Sequence, residues 1–385
     1  MMKQSFQKNI FLLGCTEFFS FFGITSFWLL FLSQQGMSLW QIGLLESLFH
    51  LTSLLSEVPS GVLADRFSYK SNLFLGRMVS IFSALLLIFA HDNFYMYALG
   101  MIFSAWSYNF DSGTSQALLY QTAKDANQES HYLKLTSILN AILEASRTIG
   151  MVLAAFFVHV GLIYTYYIQI ILSTIAIACI FYLKEPTTTK EPTQNQNSWQ
   201  ILQMVYLFFR EQPKLFTQLL MVQLTLTLIS MYYFYYQNEL PNLQSWQISG
   251  IMLLSSAVNL LAIYLANLIG QRYSNRLILS FITFCSGSLF ICTFMKNSWM
   301  YALIFLLSDG LVVIFYPLFE AELQKRFVSE IRATMLSVYT MIGSLAMILL
   351  FPLIGAIIDS IGFTKCFMCL GMLLIILSLP IKQYK

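Results

Sequence analysis

The sequence predicts an all-α membrane protein of twelve spanning helices, arranged as two related six-helix halves. Three observations carry that prediction: a composition too apolar for a water-soluble core, twelve apolar runs of spanning length, and a polar motif that returns about half a chain later. Hydrophobic residues make up 57% of the 385 residues, charged residues only 10%, and mean hydropathy is +0.68. A soluble chain carries roughly 25% charged residues. Lipid solvates such a surface, provided that every backbone polar group is satisfied inside a helix.

A span needs about 20 apolar residues. On that measure the first half holds runs at 9–32, 39–64, 71–90, 94–118, 133–158 and 162–183, and the second half holds runs at 213–237, 245–270, 274–295, 298–324, 331–357 and 360–382. The first run begins after Lys8 and lacks a small-residue cleavage site, so it reads as a span rather than a leader. Between spans six and seven lies KEPTTTKEPTQNQNS (184–198), polar and with nothing to bury. WQILQMVYLFFR (199–210) follows, too short to span; it reads as an interfacial helix or as an extension of span seven. The expected domains are therefore 1–183, a linker over 184–212, and 213–385.

Lys and Arg are retained on the cytoplasmic side of a membrane. Placing both termini there puts all of the 21 Lys and Arg on that side except Lys296, Lys365 and the intramembrane Arg147. One missing span would destroy this bias, so it supports the even count and the direction, with both termini cytoplasmic; the short loops fit a multi-pass protein of the plasma (inner) membrane. The net charge of +3 is scattered rather than patched, which argues against nucleic acid as a partner. The six cysteines all fall in apolar runs, where thiols pack as small hydrophobes; the pair Cys366 and Cys369 is not read as a redox or metal site.

The exit of span two reads GVLADRFSYK (61–70) and the exit of span eight reads NLIGQRYSNR (267–276), which sets DRFSYK from Asp65 against QRYSNR from Gln271 at an offset of 206 residues. QALLYQ (116–121) and EAELQK (320–325) echo each other more weakly. Parallel six-helix halves of this kind are a common transporter architecture. The loop resembles the signature of the major facilitator superfamily, roughly G-x-L-a-D-R-x-G-R-[RK]. Gly61, Leu63, Ala64, Asp65, Arg66 and Lys70 match it, while Ser68 replaces the second glycine and Tyr69 an arginine. The resemblance covers the whole chain. It implies alternating access, a monomer, a small-molecule substrate, a proton gradient rather than a cofactor as the energy source, and a cytoplasmic gate in which Asp65 faces the start of span eleven near Arg332 and Arg66 faces a carboxylate near the end of span four.

Ionisable residues in hydrocarbon are costly and usually face the bundle interior or water. Here they are Glu17, Glu46, Glu57, Asp111, Glu144, Arg147 and Asp309, with His50 titratable as well. The resemblance implies that spans one, four, seven and ten line a central cavity and that two, five, eight and eleven flank it. Every one of these residues falls in those two groups, whereas Arg77, Arg276, Lys365 and Lys382 read as charges near the ends of support spans. Glu46, His50, Ser53 and Glu57 share an arc of about 60° on span two, with His50 near the midplane. Arg147 near mid-bilayer needs a carboxylate or an anionic ligand, and Glu144, Asp111 and Glu17 are the available partners. Loss of one such contact on protonation is the expected coupling step; a permanent ion pair holding the half together is the plainer role.

The second half differs. Span seven ends MYYFYYQNEL (231–240), and Tyr232, Tyr233, Tyr235 and Tyr236, together with Asp309 of span ten, are the expected lining of a cavity for amphipathic ligands. Three functions compete on this basis: proton-coupled efflux of a drug-like or amphipathic molecule, proton-coupled uptake of a sugar, peptide or organic anion, and lipid flipping. The sequence shows no nucleotide-binding loop and no residues arranged for enzymatic chemistry. Efflux leads, although RTIGMVLAAFF in span five lacks the Gly-Pro pattern of many drug antiporters and span four carries Asp111 instead of their arginine.

Overall fold

The computed structural model describes residues 2–66, 68–111, 113–186, 210, 212–326 and 332–381, with the side chains of 2–5, 57–66, 332–334, 380 and 381 excepted. Its regular structure, among the described residues, is helical throughout. Nine stretches among the described residues are long and apolar enough to cross a membrane. The other three predicted spans are helical too: span two, the divided span four, and span twelve, whose apolar stretch Phe363–Leu379 is shorter. The interfacial segment at 199–210 lies outside the described residues except for Arg210.

The chain divides into two compact units. The first comprises residues 1–36 and 48–192, and the second comprises 37–47 and 193–385. The first unit is built from α1 (Met2–Ser20), α2 (Trp28–Gln34), α3 (Leu39–Arg66) beyond its first turns, α4 (Tyr69–Ile88), α5 (Phe94–Asp111), α6 (Thr114–Asp125), α7 (Tyr132–Ala154) and α8 (Ile163–Tyr182). In it α4 packs on α5 and α8, and α1 packs on α8 and α7. The second unit holds α9 (Pro213–Tyr235), α10 (Ser245–Gly270), α11 (Asn275–Ile291), α12 (Ser298–Arg326), α13 (Arg332–Ile361) and α14 (Phe363–Ile381). Its pairings repeat the pattern: α11 on α12 and α14, α9 on α13.

Two spans of the first unit are interrupted. Span one breaks after Ser20, passes through a short tight helix at Gly23–Thr25 and resumes as α2. Glycines allow the break to dock: a Cβ on Gly23 would strike the Arg147 carbonyl, and one on Gly150 would strike the Gly23 backbone. Span four breaks between Asp111 and Thr114, where Gly113 takes the left-handed conformation (φ 77°) that glycine adopts without strain. The break in span one is hidden in the apolar run because it is flanked by hydrophobic sequence, whereas the break in span four falls in the polar stretch DSGTSQ (111–116) inside an otherwise apolar run.

The second unit takes in Met37–Ser47, at the start of α3, for a visible reason. Pro352 within α13 has no N–H, which leaves the Ile348 carbonyl without its helical donor. Ser47 Oγ supplies that bond at 2.7 Å. At the other end of the segment, Asp359 accepts the N–H groups of Leu39 (3.1 Å) and Trp40 (2.8 Å), capping the α3 N-terminus from outside. Gly43 and Gly355 permit the close contact, since a Cβ on either would strike backbone of the other helix.

Candidate functional site

The site begins with where α4 starts. Ser68 caps it, accepting the Ser71 N–H at 3.1 Å, so the serine that departs from the signature glycine starts a helix. Glu185 accepts the N–H groups of Tyr69 (2.7 Å) and Lys70 (3.1 Å). Lys70 Nζ in turn donates to the carbonyls of Phe181 (2.6 Å) and Leu183 (3.1 Å) at the end of α8. The start of α4 and the end of α8 thus cap each other, and Lys70, expected in a gate, serves this joint in the first unit. Beyond their helical backbone, Gly61, Asp65, Arg66 and Arg332 lie outside the described residues, as does the side chain of Glu57.

With α4 beginning at Tyr69, Arg77 lies about 12 Å inside it at 1.5 Å per residue. Its assignment to the charged end of a support span is corrected by the structure. Arg77 is 4% exposed and forms an ion pair with Asp111, itself 4% exposed, at the last residue of α5. Gly76 makes room, since a Cβ there would lie 3.0 Å from Asp111 Oδ1. A second guanidinium nitrogen of Arg77 donates at 3.1 Å to the carbonyl of Ser20, the last residue of α1. Glu17, 3% exposed, accepts the hydroxyl proton of Ser115 in the first turn of α6 and lies within electrostatic reach of Arg77. One arginine therefore sits where both interrupted spans break, held by the tail of α5 and holding the tail of α1. Ser146 of α7 donates to the carbonyl of Phe18, two residues before Ser20.

The expected grouping around Arg147 is accordingly redistributed. Glu17 and Asp111 do come together, but about Arg77. Among the described residues, Arg147 pairs with Glu144 only, at 4.0 Å, one turn apart on α7, with side-chain exposures of 64% and 54%. On α3, His50 is half-buried, whereas Glu46 is buried in the segment that groups with the second unit. Ser53 of the same polar stripe is engaged by Asn109 of α5: Ser53 Oγ donates to Asn109 Oδ1 (2.8 Å), and Asn109 Nδ2 donates to the Ser53 carbonyl (2.8 Å) and Ser56 Oγ (2.7 Å). Asn109 joins the site without an ionisable group, so charge along the sequence gives no sign of it.

The aromatic run of α9 is mostly core. Tyr232, Tyr235 and Tyr236 are at most 1% exposed. Tyr236 stacks on Phe305 (centroids 4.4 Å apart) and Tyr232 on Phe290 (4.9 Å). Their hydroxyls are satisfied inside the unit, Tyr232 on the Tyr301 carbonyl (3.1 Å) and Tyr235 on the Phe351 carbonyl (2.6 Å). The expectation that these three line a cavity is corrected: consecutive bulky rings fill the space between helices of the second unit. Tyr233 is half-buried and packs against Phe305 at 5.6 Å. Asp309 accepts a hydrogen bond from Asn259 of α10 at 2.9 Å.

The comparisons with known proteins agree on the architecture. The family model described as Major Facilitator Superfamily matches residues 10–350. A curated relative, the "Uncharacterized MFS-type transporter YxaM" of Bacillus subtilis (strain 168), is 24% identical over 179 residues. That match spans less than half of either chain, 46% of this one and 44% of the relative. Among solved structures, the nucleoside transporter NupG superposes with a TM-score of 0.81 at 14% identity, over 99% of this chain and 100% of that one. A bacterial homologue of the iron transporter ferroportin does so with a TM-score of 0.72 at 12% identity, over 100% of both. At these identities the likeness is one of fold.

Proposed function

We propose that this chain, which belongs to the major facilitator superfamily and is a multi-pass secondary transporter rather than an enzyme, exports a drug-like or amphipathic small molecule in exchange for protons. The observation that carries the reading is the buried cluster of Glu17, Arg77 and Asp111. Two carboxylates and one guanidinium leave one negative charge in excess, in a place where an unpaired charge is costly. A proton on either carboxylate removes that excess. It also changes which element Arg77 holds, because Asp111 ends α5, Glu17 is tied to the start of α6, and Ser20 ends α1. Protonation thereby acts where spans one and four are already interrupted and bend at least cost.

The motif from Gly61 to Lys70, common among drug exporters of the superfamily, supports export, and the loop charges support a plasma-membrane protein with both termini cytoplasmic. A second reading, proton-coupled uptake of an anionic solute, is favoured by the exposed guanidinium of Arg147.

Everted membrane vesicles test the choice. In vesicles energised acid inside, an exported solute is expected to draw protons out and partly collapse the gradient, and Glu17→Gln or Asp111→Asn to abolish that response. Collapse that persists in both variants at normal expression overturns the coupling site. Proton movement in the opposite direction, driven by anions alone, replaces export by uptake.

A further inference from the structure

One polar face of α7 is not used by the buried cluster. Counting about 100° per residue, Asn140, Glu144 and Arg147 share an arc of about 60°, and all three are exposed. The buried residues Leu139, Ser146 and Gly150 occupy a separate sector against the rest of the unit. Ile138, Ala145 and Ile149 are exposed on a third, apolar sector about 150° from the polar stripe. The helix thus shows two exposed faces of opposite chemistry. Lipid accepts the apolar one. Arg147 lies about 22 Å into the helix, a depth at which a guanidinium faces water or a ligand and not acyl chains.

The pair on this face also differs in kind from the buried one. Arg77 is enclosed and bonded to Asp111 and Ser20. Arg147 and Glu144 are separated by 4.0 Å, and each is more than half exposed, so most of the five guanidinium donors and one carboxylate oxygen are open to a third party. Such a pair presents a cation and an anion side by side without satisfying either.

We propose that Asn140, Glu144 and Arg147 are the polar end of the substrate site and take a zwitterionic head group, with a carboxylate on Arg147, an ammonium on Glu144 and Asn140 bonding to either. This rests on the transport reading above and names the substrate class: an amphipathic molecule with an ammonium and a carboxylate a few ångströms apart, its apolar body directed away from the stripe.

The test is binding to the purified full-length protein in detergent, read as a saturable rise in melting temperature, with three probes: the dipeptide leucyl-phenylalanine, its N-acetyl derivative and its C-terminal amide. The parent is expected to bind about tenfold or more tightly than either capped form, the worth of one charge-assisted hydrogen bond. Arg147→Gln should make parent and amide equal, and Glu144→Gln should make parent and acetyl derivative equal. Comparison within each variant removes any effect of the substitution on stability itself. Absence of parent binding, equal binding of all three probes to the wild type, or variants that weaken all three alike overturns the proposal. The measurement needs neither gradient nor direction. Solute-driven proton release in vesicles without this binding pattern overturns the head-group assignment alone, and the binding pattern without proton release overturns the export reading alone.

Discussion

The two units solve the same problem, holding packed helices inside lipid, with different chemistry. In the first, spans one and four are broken, and the exposed backbone is tied down by a buried ion pair and serine hydroxyls, Arg77 on Ser20 and Ser146 on Phe18. In the second, the fully buried helix-to-helix contacts are neutral, tyrosine hydroxyls on the carbonyls of Tyr301 and Phe351 and stacked rings between helices, with Ser47 on the carbonyl freed by Pro352. Asp309 and Asp359 lie less deeply and accept from Asn259, Leu39 and Trp40. On the proposed coupling, charge suits a joint that changes state, because a proton alters it. Neutral hydroxyls and rings do not titrate near neutral pH, so they suit a body that keeps its shape.

The strongest way to break that contrast is to take from the buried Arg77 its ion-pair partner. Asp111→Leu is expected to cost about 3–5 kcal/mol, seen as a large fall in melting temperature in detergent. The double change Arg77→Met with Asp111→Leu should recover most of that stability while leaving no proton-coupled transport. A single variant as stable as wild type would show that the pair holds nothing. In the second unit, Phe290→Ala removes a ring stacked on Tyr232 and should cost about 3–5 kcal/mol with no change in the pH dependence of transport, so stability and coupling separate between the units.

Gly150→Ala, which drives a methyl into the backbone at the span-one break, should cost about 1–3 kcal/mol and slow transport by stiffening or displacing the joint. Smaller still, Tyr235→Phe loses one neutral hydrogen bond, about 0.5–1.5 kcal/mol, and should leave transport intact. Asp359→Ala removes the cap on α3 for about 1 kcal/mol. Hydrogen exchange at Leu39 and Trp40 should then rise while amides of the α9 core stay protected.

Much of this was legible in the residues. Span positions, the half-repeat at Asp65 and Gln271, and the family follow from hydropathy and a short motif, because spanning length and loop charge are properties of the linear chain. The acids Glu17 and Asp111 were also found, since an ionisable residue in an apolar run stands out. Their partner was not. Arg77 sits eight residues after Tyr69 and reads as end-of-span charge until the structure shows that α4 starts at the signature loop itself. Asn109 gave no signal, being an ordinary amide until it meets Ser53 and Ser56. The tyrosines of α9 misled for the converse reason: an aromatic run has the same composition whether it lines a cavity or fills a core.

By itself the sequence determined that the chain crosses a membrane many times, in two repeated halves, with the ionisable groups inside its spans concentrated in the first. Those outcomes rest on transfer free energies summed along one chain. Only the tertiary structure decided which carboxylate meets which arginine, where spans one and four break, and that the head of α3 groups with the second unit. Each of these depends on a partner far away in sequence, Ser20 for Arg77, Gly23 for Gly150 and Asp359 for Leu39. A helix face carries no record of its partner until the two helices meet.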